Sequence, residues 1–119
     1  MVKLIFPTLN STQTWVKNHL DKIPFDGWLV VKADQQTEGV GTQEKPWYSP
    51  PGNIYVTLAT KLSPIFSPQE ISRKNQFAQI TSLAVAETLE KFGFLPKLKW
   101  VNDVLLNGKK IAGCCRNAR

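Results

Sequence analysis

Apolar and polar positions at the start of the chain predict a strand, a helix and a second strand. Residues 2–6 form a short apolar run that ends at Pro7, as is typical of a strand. Residues 10–12, Asn-Ser-Thr, are favoured N-cap types, and a helix with one apolar side follows to about Leu20. The continuous apolar run at residues 28–31 indicates a buried strand.

Residues 36–52 show neither helical nor strand periodicity. The stretch contains three glycines and three prolines. A long loop without secondary structure of its own is uncommon in a compact domain unless it has a function, so we expect a functional loop here. Residues 53–62, which follow it, are rich in β-branched and aromatic side chains and predict another strand.

The second half of the chain predicts one helix followed by three strands. The helix begins near Gln69 or in the mid-seventies and ends at Phe92, with Gly93 as its C-cap. Residues 98–101 predict a strand, and Asn107-Gly108 between two apolar runs predicts a hairpin, because both turn positions need positive φ. The apolar face of the helix is expected to contain Phe77, Ile80, Ala84, Val85, Leu89 and Phe92.

These elements follow one another in the order βαβ, loop, βαββ. That order predicts an α/β or α+β fold, in which helices pack on a mixed sheet. The 119 residues correspond to one domain at most, which we take as residues 1–119.

The charge balance is basic, since 12 Lys and three Arg face nine acidic residues and the formal net charge is +6. A basic surplus favours anionic partners such as nucleotide phosphates, nucleic acid or an acidic protein, without choosing among them. A merely soluble basic surface explains the charge equally well. The lysines are scattered rather than set in a stripe, so a nucleic-acid-binding module is a weak alternative.

Cysteine and histidine content excludes several kinds of site. Cys114 and Cys115 are adjacent, a spacing that suits neither a zinc knuckle nor a disulfide framework. His19 is the only histidine, which excludes a histidine-rich metal site. The apolar run at the N-terminus is too short for a secretory signal. No apolar run in the chain approaches the roughly 20 residues that span a bilayer. We therefore expect a cytoplasmic protein with no membrane partner.

Gly39 and Gly41 are candidate ligand contacts in the long loop. Without side chains, their backbone N–H groups can face an anion. The pattern fits neither a P-loop nor a dinucleotide fingerprint, and an ordinary surface loop explains two glycines equally well. Trp47 near the end of the loop either packs on a ligand ring or anchors the loop on the core.

Lys99 lies in an apolar strand context, where its side chain either reaches solvent or meets an anion. A lysine held on a strand suits a phosphoryl or carboxylate transition state as a point charge. Asn102 and Asp103 follow the strand, and they are explained equally well as turn residues, with Asp103 as a local cap.

Ser11, Thr12 and Gln35 are short polar groups near the start of the first helix. Polar groups around an apolar pocket suit a small neutral ligand that forms hydrogen bonds, such as a urea. A helix cap is a sufficient explanation for Ser11 or Thr12 alone.

Four segments, taken in their order and spacing, resemble the biotin protein ligases. Ser11-Thr12 matches the family's Ser-Thr at the start of the first helix, and residues 35–55 are similar to its biotin-binding loop and following strand. Residues 99–104, Lys-Trp-Val-Asn-Asp-Val, look like the Lys-Trp-Pro-Asn-Asp motif. Residues 109–113, Lys-Lys-Ile-Ala-Gly, look like the strand that follows that motif. The combination is far more specific than the glycine loop alone.

The resemblance implies an α+β fold of the class II aminoacyl-tRNA synthetase and biotin synthetase type. It also implies a two-step reaction with ATP and biotin as substrates. Biotin carboxylate attacks the α-phosphate of ATP to give biotinyl-adenylate and pyrophosphate, and Mg²⁺ neutralises phosphate charge. A lysine of a biotin carboxyl carrier protein then attacks the adenylate.

The resemblance assigns a role to each matched residue. Lys99 would be catalytic and would bind the biotin carboxylate and the α-phosphate. Asn102 and Asp103 would orient the nucleotide or the metal, with no direct protein cage for the metal. Loop closure would keep water from the mixed anhydride. The residues that would contact biotin or its adenylate are Ser11, Thr12, Gln35, Gly39, Gly41, Thr42, Trp47 and Lys99.

The chain departs from the family pattern in the loop and at its end. The family's loop arginines are replaced by Val40, Thr42, Gln43 and Lys45. Because Arg clamps phosphate bidentately, we expect weaker retention of the adenylate or altered loop dynamics. Residues 114–119 break the strand pattern, so we expect a C-terminally truncated chain with marginal stability or self-association, for example as a homodimer. No room is left for a helix-turn-helix, and no DNA partner is expected.

Two further functions are open at this point. A lipoate ligase has the same fold and central lysine, although the Gln35 loop and the Lys-Trp-Val-Asn-Asp segment favour biotin. A non-catalytic remnant that binds biotin or nucleotide weakly fits the truncation and the missing arginines.

Overall fold

The structure, a computed structural model, describes residues 1–61, 69, 76–100 and 102–115. The chain forms two compact units, Met1–Ile65 and Phe66–Arg119. The predicted start of the second helix at residues 70–75 and the strand residue Val101 lie outside the described residues.

The first unit is a three-stranded mixed sheet with one helix. Strand β1 is Val2–Leu9, helix α1 is Thr12–His19, strand β2 is Trp28–Gln36 and strand β3 is Tyr55–Thr60. The strand order is β1-β2-β3, with β1 parallel to β2 and β2 antiparallel to β3. The predicted strand, helix and two further strands are therefore confirmed in this half of the chain.

Strand β1 is longer than the sequence predicts, because it continues through Pro7. In this sheet β1 pairs with β2 alone, and the register passes from Phe6↔Ala33 directly to Thr8↔Gln35. A proline is tolerated on an edge strand, where its missing N–H does not face a partner. Pro7 therefore interrupts one pair of the ladder without ending the strand.

Helix α1 covers one face of this sheet. Its Val16 is 5% exposed and packs with Leu29 and Val31 of β2, which are fully buried. On strand β3 the burial alternates, so that Tyr55 and Thr57 are buried. The side chains that these alternating positions bury form the core that holds the start of α1 against the sheet.

The second unit is one helix with a three-stranded antiparallel sheet. Helix α2 is Phe77–Lys91, and strands β4 (Lys97–Lys99), β5 (Asp103–Leu106) and β6 (Lys109–Gly113) pair in that order. The hairpin prediction is confirmed, since Asn107 and Gly108 have φ of 53° and 77°. Gly93 follows α2 with a φ of 89°, as expected of a C-cap.

The predicted apolar face of α2 is only partly right, since Phe77, Val85 and Leu89 are half-buried whereas Ala84 is exposed. Ile80 is 56% exposed and Phe92 is 76% exposed, whereas the buried residues are Ala78, Ser82 and Ala86. These three small residues lie four apart on one stripe of the helix, which contacts β4, β5 and β6. Small side chains let a helix backbone approach its neighbours closely, so burial here follows side-chain size rather than hydrophobicity.

The two units together confirm the predicted α+β class, with both parallel and antiparallel strand pairs. Within the described ranges, no helix combines the length and the apolar character that crossing a membrane requires.

Candidate functional site

The first turn of α1 is a buried polar corner. Ser11 is 2% exposed and caps the helix, since its Oγ accepts a hydrogen bond of 3.3 Å from the Thr14 N–H. Thr12 is buried as well, and its Oγ1 accepts from the Thr57 hydroxyl at 2.8 Å. The helix-cap explanation therefore applies to Ser11, and both predicted residues lie buried at the N-terminus of α1.

Gln36 is the glutamine that reaches this corner, and Gln35 is not. The Thr12 N–H donates to Gln36 Oε1 at 2.8 Å. Gln35 instead donates from Nε2 to the Thr8 hydroxyl at 2.8 Å, across the β1–β2 ladder. The structure thus brings Gln36 to Thr12 at the start of α1, whereas the side chain of Gln35, the residue chosen from the sequence, bonds to Thr8 of β1.

The predicted irregular loop contains a small hairpin, residues 39–47, which we call the hairpin loop. Its ends are joined by a bond of 2.8 Å from Trp47 N to the Gly39 carbonyl, and its turn by one of 2.7 Å from Gly41 N to the Lys45 carbonyl. Val40 and Pro46 form a bridge between its two sides. The loop is therefore ordered by its own backbone, which the absence of periodicity did not predict.

Gly39 and Gly41 serve different purposes in the hairpin loop. Gly39 is buried, and a Cβ atom there would collide with Ser49 Oγ and the Trp47 carbonyl. A Cβ atom at Gly41 would stand 3.4 Å from the indole of Trp47. Gly39 allows two segments of backbone to meet, whereas Gly41 leaves room for the Trp47 ring.

The remaining loop residues are more exposed. Thr42 is exposed, and its carbonyl accepts from the Lys45 N–H at 3.2 Å. Trp47 is 39% exposed with its ring against Gly41, so part of the indole faces outward from the loop. This arrangement suits a ring that packs on a bound ligand, and it also fits an anchor of the loop.

Lys99 lies at the end of β4 in the second unit, directly opposite Asp103 on β5. Lys97, two residues earlier, shares its face of the sheet, since side chains alternate along a strand. Lys110 pairs with Asp103 at 3.0 Å, which brings a third lysine to that face. Among the described residues Lys99 has no ion pair and its side chain is exposed. Three lysines around one carboxylate form a face that favours anions.

Asn102 and Asp103 are held by the fold of the second unit. The Asn102 carbonyl accepts from the Cys114 N–H at 2.9 Å, and Asp103 begins β5 rather than a turn. The Asp103 carboxylate is paired with Lys110 at 3.0 Å, and the described ranges contain no group of three or more metal-ligating residue types.

Three residues of the buried corner were missed by the sequence analysis: Gln36, Ser49 and Thr57. The alternation of β3 gives a signal for Thr57, which shares its face with Tyr55. Ser49 is 3% exposed and connects Gln36 to the hairpin loop, but it lies in a stretch without periodicity. For Gln36 and Ser49 we find no signal in the pattern of residues alone.

A hollow of about 540 Å³ lies elsewhere in the first unit. It is lined by residues 20–25 together with Thr60 and Lys61. These residues are beside the carboxyl end of α1, whereas Ser11 and Thr12 are at its amino end. None of the residues predicted from the sequence lines this hollow.

Comparison with known proteins gives a consistent result. Residues 5–118 match the model of the biotin/lipoate A/B protein ligase family. The chain is 34% identical to the bifunctional ligase/repressor BirA of Bacillus subtilis over 108 residues, which are 88% of this chain and 31% of that protein. It is 32% identical to biotin–protein ligase 2 of Arabidopsis thaliana over 115 residues, 90% of this chain and 32% of that protein.

Comparison of the fold with solved structures also leads to the biotin protein ligases. The chain is similar to the biotin protein ligase from Aquifex aeolicus in complex with biotin and ATP, with a TM-score of 0.79 and 25% identity. The similarity covers 98% of this chain and 47% of that one. The chain spans about a third of the length of the curated relatives it matches. A family match over nearly every residue, on a mixed sheet with the expected polar corner, means that the chain belongs to the biotin/lipoate A/B protein ligase family.

Proposed function

We propose that the chain is part of the catalytic domain of a biotin protein ligase, with residues 1–119 in one domain. It would activate biotin with ATP to form biotinyl-5′-AMP and transfer biotin to a lysine of a biotin carboxyl carrier protein. The observation that carries this proposal is the buried corner at the start of α1, where Ser11, Thr12 and Gln36 meet beneath a loop that carries Trp47.

The chemistry of this corner suits the ureido ring of biotin. A urea offers two N–H donors and one carbonyl acceptor, and it is neutral. The corner offers hydroxyls that both donate and accept, an amide side chain and the N–H groups of a helix N-terminus. A few convergent polar groups of this kind fix the orientation of a small ligand. We assign the ring contacts to Ser11, Thr12 and Gln36, with Gln36 in the place first given to Gln35.

The lysine face of the second unit suits the charged parts of the reaction. Lys99 would bind the biotin carboxylate and the α-phosphate and would stabilise the charge that develops between them. Lys97 and Lys110 lie on the same face and add to the positive potential there. Asn102 and Asp103 would orient the nucleotide. A magnesium ion would arrive with the nucleotide phosphates, since Mg²⁺ is usually bound through substrate phosphates, one or two carboxylates and water.

The hairpin loop would shield the adenylate from water. Gly39 and Gly41 allow the loop to close on its own backbone, and Trp47 supplies an apolar surface. The places of the family's loop arginines hold Val40, Thr42, Gln43 and Lys45, so phosphate contacts from this loop would come from backbone N–H groups and Lys45. We therefore propose weaker retention of the adenylate than an arginine-rich loop gives.

Biotin is favoured over lipoate because the Arabidopsis thaliana relative is named a biotin–protein ligase, and the similar Aquifex aeolicus structure holds biotin and ATP. We also propose a cytoplasmic location and a homodimer. DNA binding is not part of the proposal.

Release of pyrophosphate from ATP tests the proposed activity. We expect release that depends on biotin and that falls by at least about a hundredfold in Lys99→Ala, since the loss of one electrostatic group of this kind costs about 10²–10³ in rate. Lys97→Ala is the matched control, because Lys97 is exposed on the same strand and the same face, and it should retain most of the rate.

The outcomes separate the proposed function from its rivals. No biotin-dependent release from a folded chain contradicts the activity, and calorimetric binding of biotin without release identifies a binding remnant. Faster release with lipoate than with biotin identifies a lipoate ligase. Equal losses in Lys97→Ala and Lys99→Ala would show that the lysine face acts only through its total charge.

A further inference from the structure

Gln36 uses both ends of its side-chain amide inside the first unit. Its Oε1 accepts from the Thr12 N–H at 2.8 Å, and its Nε2 donates to Ser49 Oγ at 3.0 Å. Ser49 Oγ in turn donates to the Trp47 carbonyl at 2.9 Å. These three bonds run without a break from the first turn of α1, through the end of β2, to the hairpin loop.

The direction of each bond in this series is determined by the groups at its ends. A backbone N–H can only donate, so Thr12 must face the amide oxygen of Gln36, and the NH₂ group then faces Ser49. The Ser49 hydroxyl has a single proton, and because it accepts from Gln36 that proton bonds to the Trp47 carbonyl. A ligand that holds the Gln36 amide in this orientation would therefore also keep the Ser49 hydroxyl on the Trp47 carbonyl.

Burial makes the Ser49 hydroxyl hard to replace. Ser49 is 3% exposed, and its Oγ lies where a Cβ atom on Gly39 would collide with it. Water therefore has little access to the Ser49 hydroxyl. When a buried hydrogen-bonding group loses its partner and water does not replace it, the folded chain bears the full desolvation penalty of that group.

We propose that Ser49 is a positioning residue, which holds the hairpin loop closed and couples it to the occupancy of the Gln36 amide. Ser49 holds the hairpin loop closed in the chain without a ligand. The coupling to a ligand rests on the proposed biotin site, since biotin is the ligand expected to engage Gln36.

Amide hydrogen exchange of the unliganded chain tests whether Ser49 holds the hairpin loop closed. In Ser49→Ala, we expect the Trp47 and Gly41 amides, which close the hairpin loop, to exchange about tenfold faster than in the wild type. The Val16 amide of α1 should keep its rate. Unchanged rates at Trp47 and Gly41, or an equal increase at Val16, would overturn the proposal.

Thr60→Val is the matched control for this measurement. The Thr60 hydroxyl also donates to a backbone carbonyl in the first unit, that of Gly27 at 2.6 Å, but it lies at the far end of β3. The substitution removes a bond of the same kind, and the hairpin loop should keep its exchange rates. If Thr60→Val speeds exchange at Trp47 as much as Ser49→Ala does, the effect is general and the proposal fails.

Gln36→Glu tests the direction of the bonds without removing a side chain. The carboxylate still accepts from Thr12, at a helix N-terminus that favours negative charge, but it now also accepts the Ser49 proton. We expect the Trp47 amide to exchange about tenfold faster while the α1 amides do not, as in Ser49→Ala. Slow exchange at Trp47 in this variant would contradict the proposal even if Ser49→Ala fails to fold.

Biotin is the probe for the coupling. Biotin should slow exchange at Trp47 in the wild type, and this effect should disappear in Ser49→Ala although calorimetry still detects binding. Equal slowing in both proteins would overturn the coupling. If biotin does not bind the wild type at all, the proposed function and the coupling both fail, and the unliganded measurements decide the role of Ser49 in holding the loop.

Discussion

Gly39 is the residue at which the hairpin loop has no room for a side chain. We predict that Gly39→Ala destabilises the chain by about 1–3 kcal/mol, because the new Cβ must push apart Ser49 Oγ and the Trp47 carbonyl. The measurement is the free energy of unfolding in urea. Gly41→Ala is the control, since its Cβ would stand 3.4 Å from the Trp47 ring and 3.6 Å from the Lys45 carbonyl, without a collision. Equal losses in the two variants would contradict the steric explanation.

Cys115 is the residue for which the structure predicts a change in acid–base behaviour. Partial burial raises the pKa of its thiol above the ordinary value of 9.0, and the neighbouring Cys114 and then Asp103 raise it further, while Lys110 lowers it. A thiol with a raised pKa reacts slowly, because the thiolate is the nucleophile. We predict that Cys114→Ser speeds alkylation of Cys115 by iodoacetamide at about pH 8.5.

The same shift has a consequence for stability. Since the folded chain holds the Cys115 proton to a higher pH than the unfolded chain, this group contributes stability that is present below the ordinary pKa of 9.0. That contribution is lost as the pH rises through the pKa that the thiol has in the folded chain.

An alkylation rate in Cys114→Ser that does not differ from the wild type would argue against the influence of the neighbouring thiol.

Among the elements, the hairpin loop has a strained turn. Gln43 and Glu44 have φ of 56° and 59°, although neither is glycine or asparagine. A non-glycine residue in this conformation costs about 1–2 kcal/mol. We predict that Gln43→Asn with Glu44→Gly raises the free energy of unfolding by about 1 kcal/mol and slows amide exchange at Trp47, because Asn-Gly suits consecutive positive φ.

The β5–β6 turn provides the comparison for that prediction. Asn107 and Gly108 already have the favoured residue types at φ of 53° and 77°. Gly108→Ala should therefore destabilise the chain by about 1 kcal/mol. If the Asn-Gly change in the hairpin loop has no effect while Gly108→Ala does, the turn at residues 43–44 is not limited by backbone strain.

Element boundaries and faces show where sequence patterns succeed. Short-range rules located the cap of α1 at Ser11 and the β5–β6 turn, since both depend on residues close in the chain. They were only partly right for α2, where Ala78, Ser82 and Ala86 are buried and Ile80 is exposed. Hydrophobic periodicity assumes that the largest apolar residues face the core, and in this helix small residues are the most buried.

At the scale of the whole molecule, the net charge of +6 predicts salt-dependent binding of nucleotide. We expect the affinity for ATP to fall several-fold when ionic strength rises from about 0.05 M to about 0.5 M, because the Debye length shortens over this range. Calorimetry at each salt concentration measures the effect. Biotin, which carries a single carboxylate, serves as the control and should lose much less affinity. Equal losses for the two ligands would rule out steering of nucleotide by the basic surface.

The family could be predicted from the sequence because its motifs are local strings whose order survives without coordinates. The same strings led to Gln35 as a ligand contact, whereas the structure brings Gln36 to Thr12. A shift of one position at the end of β2 changes which glutamine side chain reaches the buried corner at the start of α1. The sequence alone does not determine which of the two it is. The role of Lys99 stays a prediction, and the structure places its side chain exposed at the end of β4.

The amino-acid sequence by itself determined the local elements, the α+β class and the family, because these depend on propensities, turn requirements and motifs within short stretches of chain. Only the tertiary structure decided that Gln36 and Ser49 connect α1 to the hairpin loop. Their bonds join residues 24 and 13 positions apart, and a contact at such separation depends on how strands and loops pack rather than on any neighbouring residue.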